Sequence, residues 1–294
     1  MNRHPLPPFK LPSPGHPLGN LIRGWIHRHV LIPLSRIYYT YFRPDLRQTG
    51  VLPLPFNLVL KRNPRAREAE GIAMSLARSM GIPAPRFISY GEHSPNTRSR
   101  EGYILMSRIP GKTLKSAIPS LSPDELHTIM QELAEILARM RSYSNPWGTR
   151  VCGVDGKDIY GGRVPGRHIN ACDDEHSFYA TLLQSTLIRD EEGLAMLETA
   201  KKMTTLFPHD IVFTHGDLWD HNIMVDQGHI TGIVDWEWAG WLPEYWEYTS
   251  IIQWTGIRMP WALRLASLPG YKYSEEMEYD LALIALSDYS FLRW

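Results

Sequence analysis

The stretch FTHGDLWDHNIMV, residues 213 to 225, gathers His215, Asp217, Asp220, His221 and Asn222 between apolar flanks. A structural zinc site would ask for a closed set of about four His or Cys ligands, typically with helical His spacing. The stretch offers instead Asp217 and, five residues later, Asn222, whose oxygens suit a hard cation such as Mg2+. The apolar run IVF before His215 reads as the end of a buried strand, a junction where functional groups are often held. A second strand, ITGIVDWEWAG, delivers Asp235 after another apolar run. Two strand-end carboxylates and an asparagine carbonyl meet the needs of phosphoryl transfer: one group orients an attacking hydroxyl and two hold metal that neutralises the phosphates.

Such groups need a scaffold. In LPFNLVLKRN, Val59 and Lys61 share one face of a strand while Leu58 and Leu60 share the other. The segment RAREAEGIAMSLARSMG follows, with Ile72, Ala73, Leu76 and Met80 at helical spacing, Glu68 and Glu70 ahead of them, and Gly81 as the C-cap. IPAPRFISYG and GYILMSRIPG read as two more strands, and the turn Pro110-Gly111 marks the boundary of a small β-rich first lobe. Beyond it, LSPDELHTIMQELAEILARM is a helix with Ser122 as N-cap, Pro123 at the first position and Glu125 completing a capping box. Its stripe runs through Leu126, Ile129, Met130, Leu133, Ile136, Leu137 and Met140. Residues 142 to 176 are glycine-rich and irregular, and the expectation is an insertion packing over a helical lobe. Helical patterning resumes from Ser177 and again after about Tyr245.

With 294 residues, 43% of them hydrophobic, the chain can bury a large core, and a formal net charge of zero gives no reason to expect a nucleic-acid partner. Cys152 and Cys172 stand in no metal-ligand or Cys-x-x-Cys spacing, which suits free thiols in a reducing compartment. The proline-rich start MNRHPLPPFKLPSPGHPLGN lacks the apolar core of a signal peptide, and no later run approaches ~18 apolar residues. A soluble, cytoplasmic protein is expected; its oligomeric state leaves no signature. Residues 1–50 form a basic arm in which Arg3, Lys10, Arg23, Arg28, Arg36, Arg43 and Arg47 are opposed only by Asp45. The segment LIRGWIHRHVLIPLSRIYYTYF admits two readings: contact with an anionic membrane surface, or a helix packed on the domain with its basic face in water. The second is expected.

His-Gly-Asp-x-x-x-x-Asn followed by Ile-Val-Asp-Trp-Glu resembles the phosphotransferase family of aminoglycoside and choline kinases, which share the protein-kinase-like fold. LPFNLVLK, GIPAPRFISYGEH, LMSRIPG, THGDLWDHNI and DWEWAGWLPEYWE together resemble fungal members of the aminoglycoside phosphotransferase branch, over roughly residues 50 to 255. The resemblance implies an α+β, bilobal protein-kinase-like fold: an antiparallel N-lobe with one helix (51–108, nucleotide-binding) and a larger, mainly helical C-lobe (109–294, catalytic and substrate-binding). It implies ATP and Mg2+ as cofactors and a small-molecule hydroxyl substrate. Asp217 matches the catalytic aspartate, Asn222 and Asp235 the Mg2+ ligands, Lys61 the lysine on the α and β phosphates, and Glu70 the glutamate that holds it. His215 matches a histidine that braces the loop. Val59 lies in phase with Lys61, and the backbone from Met106 to Arg108 would read the adenine edge.

Asp220 and His221 are expected to face solvent or to support the site from outside. Trp219, Trp236, Trp238, Trp241, Trp246 and Trp254 are expected to serve core and interlobe packing. From Asp217 to Ile257 seven carboxylates occur with no Lys or Arg, a surplus that suggests a negative field favouring a cationic acceptor such as an amino sugar or amino alcohol. One departure from the family pattern is plain: only Gly50 precedes Lys61 where a glycine-rich phosphate loop would lie. Either the first hairpin is shortened or phosphate cover is poor. That departure sustains an alternative to an ATP-dependent phosphotransferase, a catalytically silent kinase-like module binding nucleotide or a partner. A lipid- or choline-type kinase brought to membranes by the basic arm is a third reading.

Overall fold

The computed structural model describes residues 4–5, 15–46, 50–93, 101–253, 260–270 and 272–287. The smaller lobe contains α1 (Pro17–Ile26), α2 (Ile32–Tyr41), β1 (Val51–Leu54), β2 (Leu58–Asn63), α3 (Glu68–Ser79), β3 (Phe87–His93) and β4 (Glu101–Ser107). The larger lobe begins with β5 (Lys112–Thr113), α4 (Leu114–Ala117), α5 (Pro123–Arg141), β6 (Cys152–Gly153), β7 (Ile159–Tyr160) and β8 (His168–Ile169). It continues through α6 (Glu175–Gln184), α7 (Glu191–Lys201), β9 (Ile211–Thr214), β10 (Ile223–Asp226), β11 (His229–Ile233) and β12 (Gly240–Pro243). Helices α8 (Trp246–Gln253), α9 (Pro260–Ala266) and α10 (Ser274–Ala285) follow.

The smaller lobe is built on an antiparallel sheet of order β1-β2-β4-β3. Lys61 stands opposite Val51 on one side and Ile104 on the other, and Val59 opposite Pro53 and Met106. Alternation therefore turns Val51, Pro53, Val59 and Lys61 to one face and Leu52, Leu54, Leu60 and Tyr103 to the other. The hairpin between β1 and β2 is tight, with Phe56 and Asn57 both in the left-handed region at φ 62° and 55°. No strand precedes β1 among the described residues, so the first hairpin of the expected pattern is shortened, and Gly50 lies at the Lys61 end of the sheet.

Helices α1 and α2 cover the outer face of this sheet. Ile32 packs with Leu54, Leu60 and Tyr103, of which Leu60 and Tyr103 are fully buried. The π turn between the helices, His27–Leu31, answers a sequence constraint. Pro33 has no amide to return to the preceding turn and its ring would crowd the carbonyl there, so the helix widens before it. Close approach is set by two glycines: a Cβ on Gly24 would fall 2.0 Å from Glu92 O, and one on Gly91 would fall 2.4 Å from the Gly24 nitrogen.

This packing corrects the orientation expected of the arm. Its buried side carries Asn20, Gly24, His27 and Ser35. Arg23 donates to Tyr90 O at 2.8 Å and Arg28 pairs with Glu101 at 2.9 Å, so these cations turn to the sheet. Leu18, Leu21, Ile22 and Trp25 stay 46% to 60% exposed instead. Arg3, Lys10 and Arg47 lie outside the described residues. The main chain of His4 bonds Ser142 O at 2.8 Å and accepts from Ser144 N–H at 2.9 Å, at the far end of α5 in the other lobe.

The larger lobe is organised around α5, whose capping box between Ser122 and Glu125 is formed and whose stripe buries Ile129, Leu133, Leu137 and Met140. Two small antiparallel sheets, β11-β10-β5 and β6-β12-β9, lie against it. Residues 142 to 176 are not an overlay on the helices. Strand β6 pairs with β12, and Val151, Cys152, Val154, Ile159 and Val164 are all buried, so the segment is a wall of the lobe itself. Its strands have two residues each, too few to show a period in the sequence. No helix among the described residues is long and apolar enough to cross a membrane.

Candidate active site

Lys61 sits mid-strand on β2 and is 7% exposed. Its Nζ donates to both Glu70 oxygens, at 2.8 and 3.0 Å, and to Asp235 Oδ1 at 2.5 Å, with Glu237 Oε2 at 3.5 Å. Burial opposes the charge, yet Glu70, Asp235 and Glu237 raise the ammonium above the ordinary lysine range. Glu70, rather than Glu68, is the glutamate that reaches the lysine; Glu68 accepts from Gly15 N–H at 2.9 Å and ties down the start of α1. Glu237 is also 3.3 Å from Asn63 Nδ2 and 3.7 Å from Arg65.

Strand β9 is buried along its whole length and ends at Thr214, handing the chain to a loop fixed by its own backbone. His215 N–H and Gly216 N–H donate to the two oxygens of Glu247, at 2.7 and 3.1 Å. His215 donates from Nε2 to Val234 O at 3.0 Å and accepts Asp217 N–H on Nδ1 at 3.2 Å. Burial pushes its imidazole down to about 4, which suits a neutral ring with one donor and one acceptor. Burial, reinforced by Asp235, pushes the Asp217 carboxyl up to about 7, while its bond from Asn222 pulls the other way. Asn222 Nδ2 donates to Asp217 O at 2.8 Å and to Oδ2 at 3.1 Å, and Val234 N–H bonds Asn222 O at 2.9 Å. Asp235 holds a left-handed backbone at φ 67°, unusual for a non-glycine residue and common where a site constrains its residues.

Above this cluster, Val51, Pro53, Val59, Met106, Met224 and Val234 line a narrow slot between the lobes. Met106 and Arg108 both lie on it, but the Ser107 and Arg108 amides are already given to Arg86 O and Asn57 O, at 3.0 and 2.8 Å. Among the described residues the next amide, Ile109, makes no main-chain bond. The donors available to a metal are the Asn222 side-chain oxygen, whose amide nitrogen is spent on Asp217, and the Asp235 carboxylate oxygen that Lys61 does not hold. An all-oxygen pair fits a hard divalent cation. Glu70, Asp235 and Glu237 also bring ligand atoms within 4.8 Å of one another, but that trio encloses Lys61.

On the other side of Asp217 opens a cavity of about 570 Å³. Trp219 and Trp238 line it, whereas Trp236, Trp241 and Trp246 are core residues, 4% exposed or less. Trp219 also packs against the core, as expected, and Trp254 lies outside the described residues. Asp220 and His221 also line the cavity, so neither merely faces solvent. Glu247 was visible in the sequence only as part of the carboxylate surplus. Lys115, Trp261 and Arg264 of the same wall carried no local signal at all.

No curated protein matches the chain by sequence. Among solved structures, a thermostable mutant of the aminoglycoside phosphotransferase APH(4)-Ia in ternary complex with AMP-PNP and hygromycin B is similar, with a TM-score of 0.60 at 18% identity, covering 86% of this chain and 88% of that one. The apo form of a thermostable mutant of that enzyme gives 0.57 at 19% identity over 82% and 83%. The fold is therefore the bilobal, kinase-like fold of those enzymes. The family model described as "APH: Phosphotransferase enzyme family" matches residues 40–279. Spanning both lobes and every residue of the cleft, that match makes the chain a member of the phosphotransferase enzyme family.

Proposed function

We propose that the protein is an ATP-dependent small-molecule kinase, transferring the γ-phosphoryl group of ATP to a hydroxyl acceptor. The observation that carries this reading is the meeting in one cleft of the Lys61–Glu70 pair with Asp217, Asn222 and Asp235. Residues 51–108 hold the nucleotide and residues 109–294 the acceptor. The adenine lies in the apolar slot, and Lys61, oriented by Glu70, moves from Asp235 to the α and β phosphates. Asn222 and Asp235 would hold Mg2+, which when bound supplies charge neutralisation on the phosphates. Asp217 orients the acceptor hydroxyl and takes its proton as the new oxygen–phosphorus bond forms and the bond from the γ phosphorus to the bridging oxygen breaks, releasing ADP. A carboxyl poised near neutrality suits that task.

The preference for a cationic acceptor is not carried into this reading. Of the seven carboxylates behind it, three have partners inside the fold: Asp235 and Glu237 serve Lys61 and Glu247 serves the loop amides. That APH(4)-Ia was solved with AMP-PNP and hygromycin B supports a nucleotide and a small-molecule acceptor in one cleft. The test is ATP consumption with a panel of hydroxyl compounds, wild type against Asp217→Ala. A loss of about 10²- to 10⁴-fold is expected. Equal rates would favour the alternative, a catalytically silent module that binds nucleotide or a partner.

A further inference from the structure

The cavity beside Asp217 has a wall whose chemistry points to its occupant. Trp219 and Trp238 supply flat apolar surface, the buried Trp261 backs the wall, and Ile118 and Pro119 line it as well. Two of these indoles are held: Trp219 stacks on His221 at 6.1 Å and 18°, and Trp261 Nε1 donates to Leu218 O at 3.0 Å. Lys115 on α4 and Arg264 on α9 both line it, and among the described residues neither forms an ion pair. Among the described residues, the only carboxylate there besides Asp217 is Asp220, 3.9 Å from His221. Asp226, Glu237, Glu244 and Glu247 do not line this cavity.

A polycationic acceptor would meet Lys115 and Arg264, neither ion-paired among the described residues, and one spare carboxylate. A neutral, fully hydroxylated one would leave the Trp219 and Trp238 indoles facing polar surface. An acceptor with a planar apolar body and one anionic group satisfies both features at once: the ring lies on the indoles, the positive charge of Lys115 and Arg264 attracts the anion, and the hydroxyl reaches Asp217. We infer that the acceptor is a hydroxylated, ring-containing compound bearing a single anionic group, such as a carboxylate. This rests on the phosphotransferase reading for the role of the cavity, but not for its binding preference.

The test is equilibrium binding, so it does not depend on turnover. With full-length protein, AMP-PNP and magnesium present, calorimetry compares three naphthalene methanols that differ only in a second substituent: carboxylate, hydrogen or aminomethyl. The carboxylate is expected to bind about tenfold more tightly than the aminomethyl compound, the gap closing as salt rises. Arg264→Gln and Lys115→Gln should each weaken the carboxylate several-fold and the neutral compound less than twofold. Equal or tighter binding of the amine, no binding of the carboxylate, or indifference to both substitutions overturns the inference. An inactive cleft that still prefers the carboxylate would overturn only the catalytic reading, since ATP consumption is measured separately.

Discussion

Lys61 Nζ stands 2.5 Å from Asp235 Oδ1 while Glu70 grips it from the other side, so one ammonium joins the central strand of the smaller lobe to a strand-end carboxylate of the larger. Because Glu70 is 2% exposed, it has no recourse to water if the lysine is removed. Lys61→Ala is expected to cost about 3–5 kcal/mol of stability in urea denaturation, together with most nucleotide affinity. Adding Glu70→Gln should restore part of the stability and none of the affinity. A single variant as stable as wild type would show that the pair does not carry this load.

Glu247 holds the main chain at the base of the catalytic loop. Its burial pushes the carboxyl up to about 7, opposed by the amides of His215 and Gly216. Glu247→Ala strands those buried donors, at about 1–3 kcal/mol each. The expected result is a lower kcat with little change in KM for ATP, and faster amide exchange at His215 and Gly216. Exchange rates that match wild type would remove Glu247 from any role in placing Asp217.

His209 gives the stability a pH dependence of definite sign. Burial lowers its affinity for a proton, but Glu175 at 2.7 Å and Glu276 at 3.3 Å raise it above the ordinary value of 6.5. The folded state therefore binds the proton more tightly than the unfolded chain, so the contribution is complete below pH 6.5 and is lost as pH rises through the folded value. His209→Gln should flatten the fall in urea midpoint over that window. An unchanged slope would assign the pH dependence to other groups.

The glycine contact between α1 and β3 admits no side chain. Gly24→Val is expected to lift the helix from the sheet, expose Leu60 and Tyr103, and cost roughly 3 kcal/mol. Limited proteolysis within residues 15–46 reports the release directly. A variant with wild-type midpoint and cleavage pattern would mean that the backbone yields at this contact.

Much of the cleft was legible because its chemistry sits where local pattern changes. Asp217 and Asp235 follow apolar strand ends, Asn222 stands directly before β10, and Lys61 shares a strand face with Val59. Periodicity shows that a helix has two faces but not which one meets a neighbour. In α1 the inner face is chosen by Gly24 against Gly91 and by bonds to Arg23 and His27, none of which a hydropathy pattern contains. A charge count is blind for the same reason, because it omits partners such as the His215 and Gly216 amides. The acceptor wall joins Lys115 to Arg264 across most of the larger lobe's sequence, so no window of chain could display it.

The bond between His4 and the segment 142–144 has a mechanical meaning. Residue 4 rests on the larger lobe and α1 on the smaller, so among the described residues the larger lobe holds the chain both ahead of α1 and after β4.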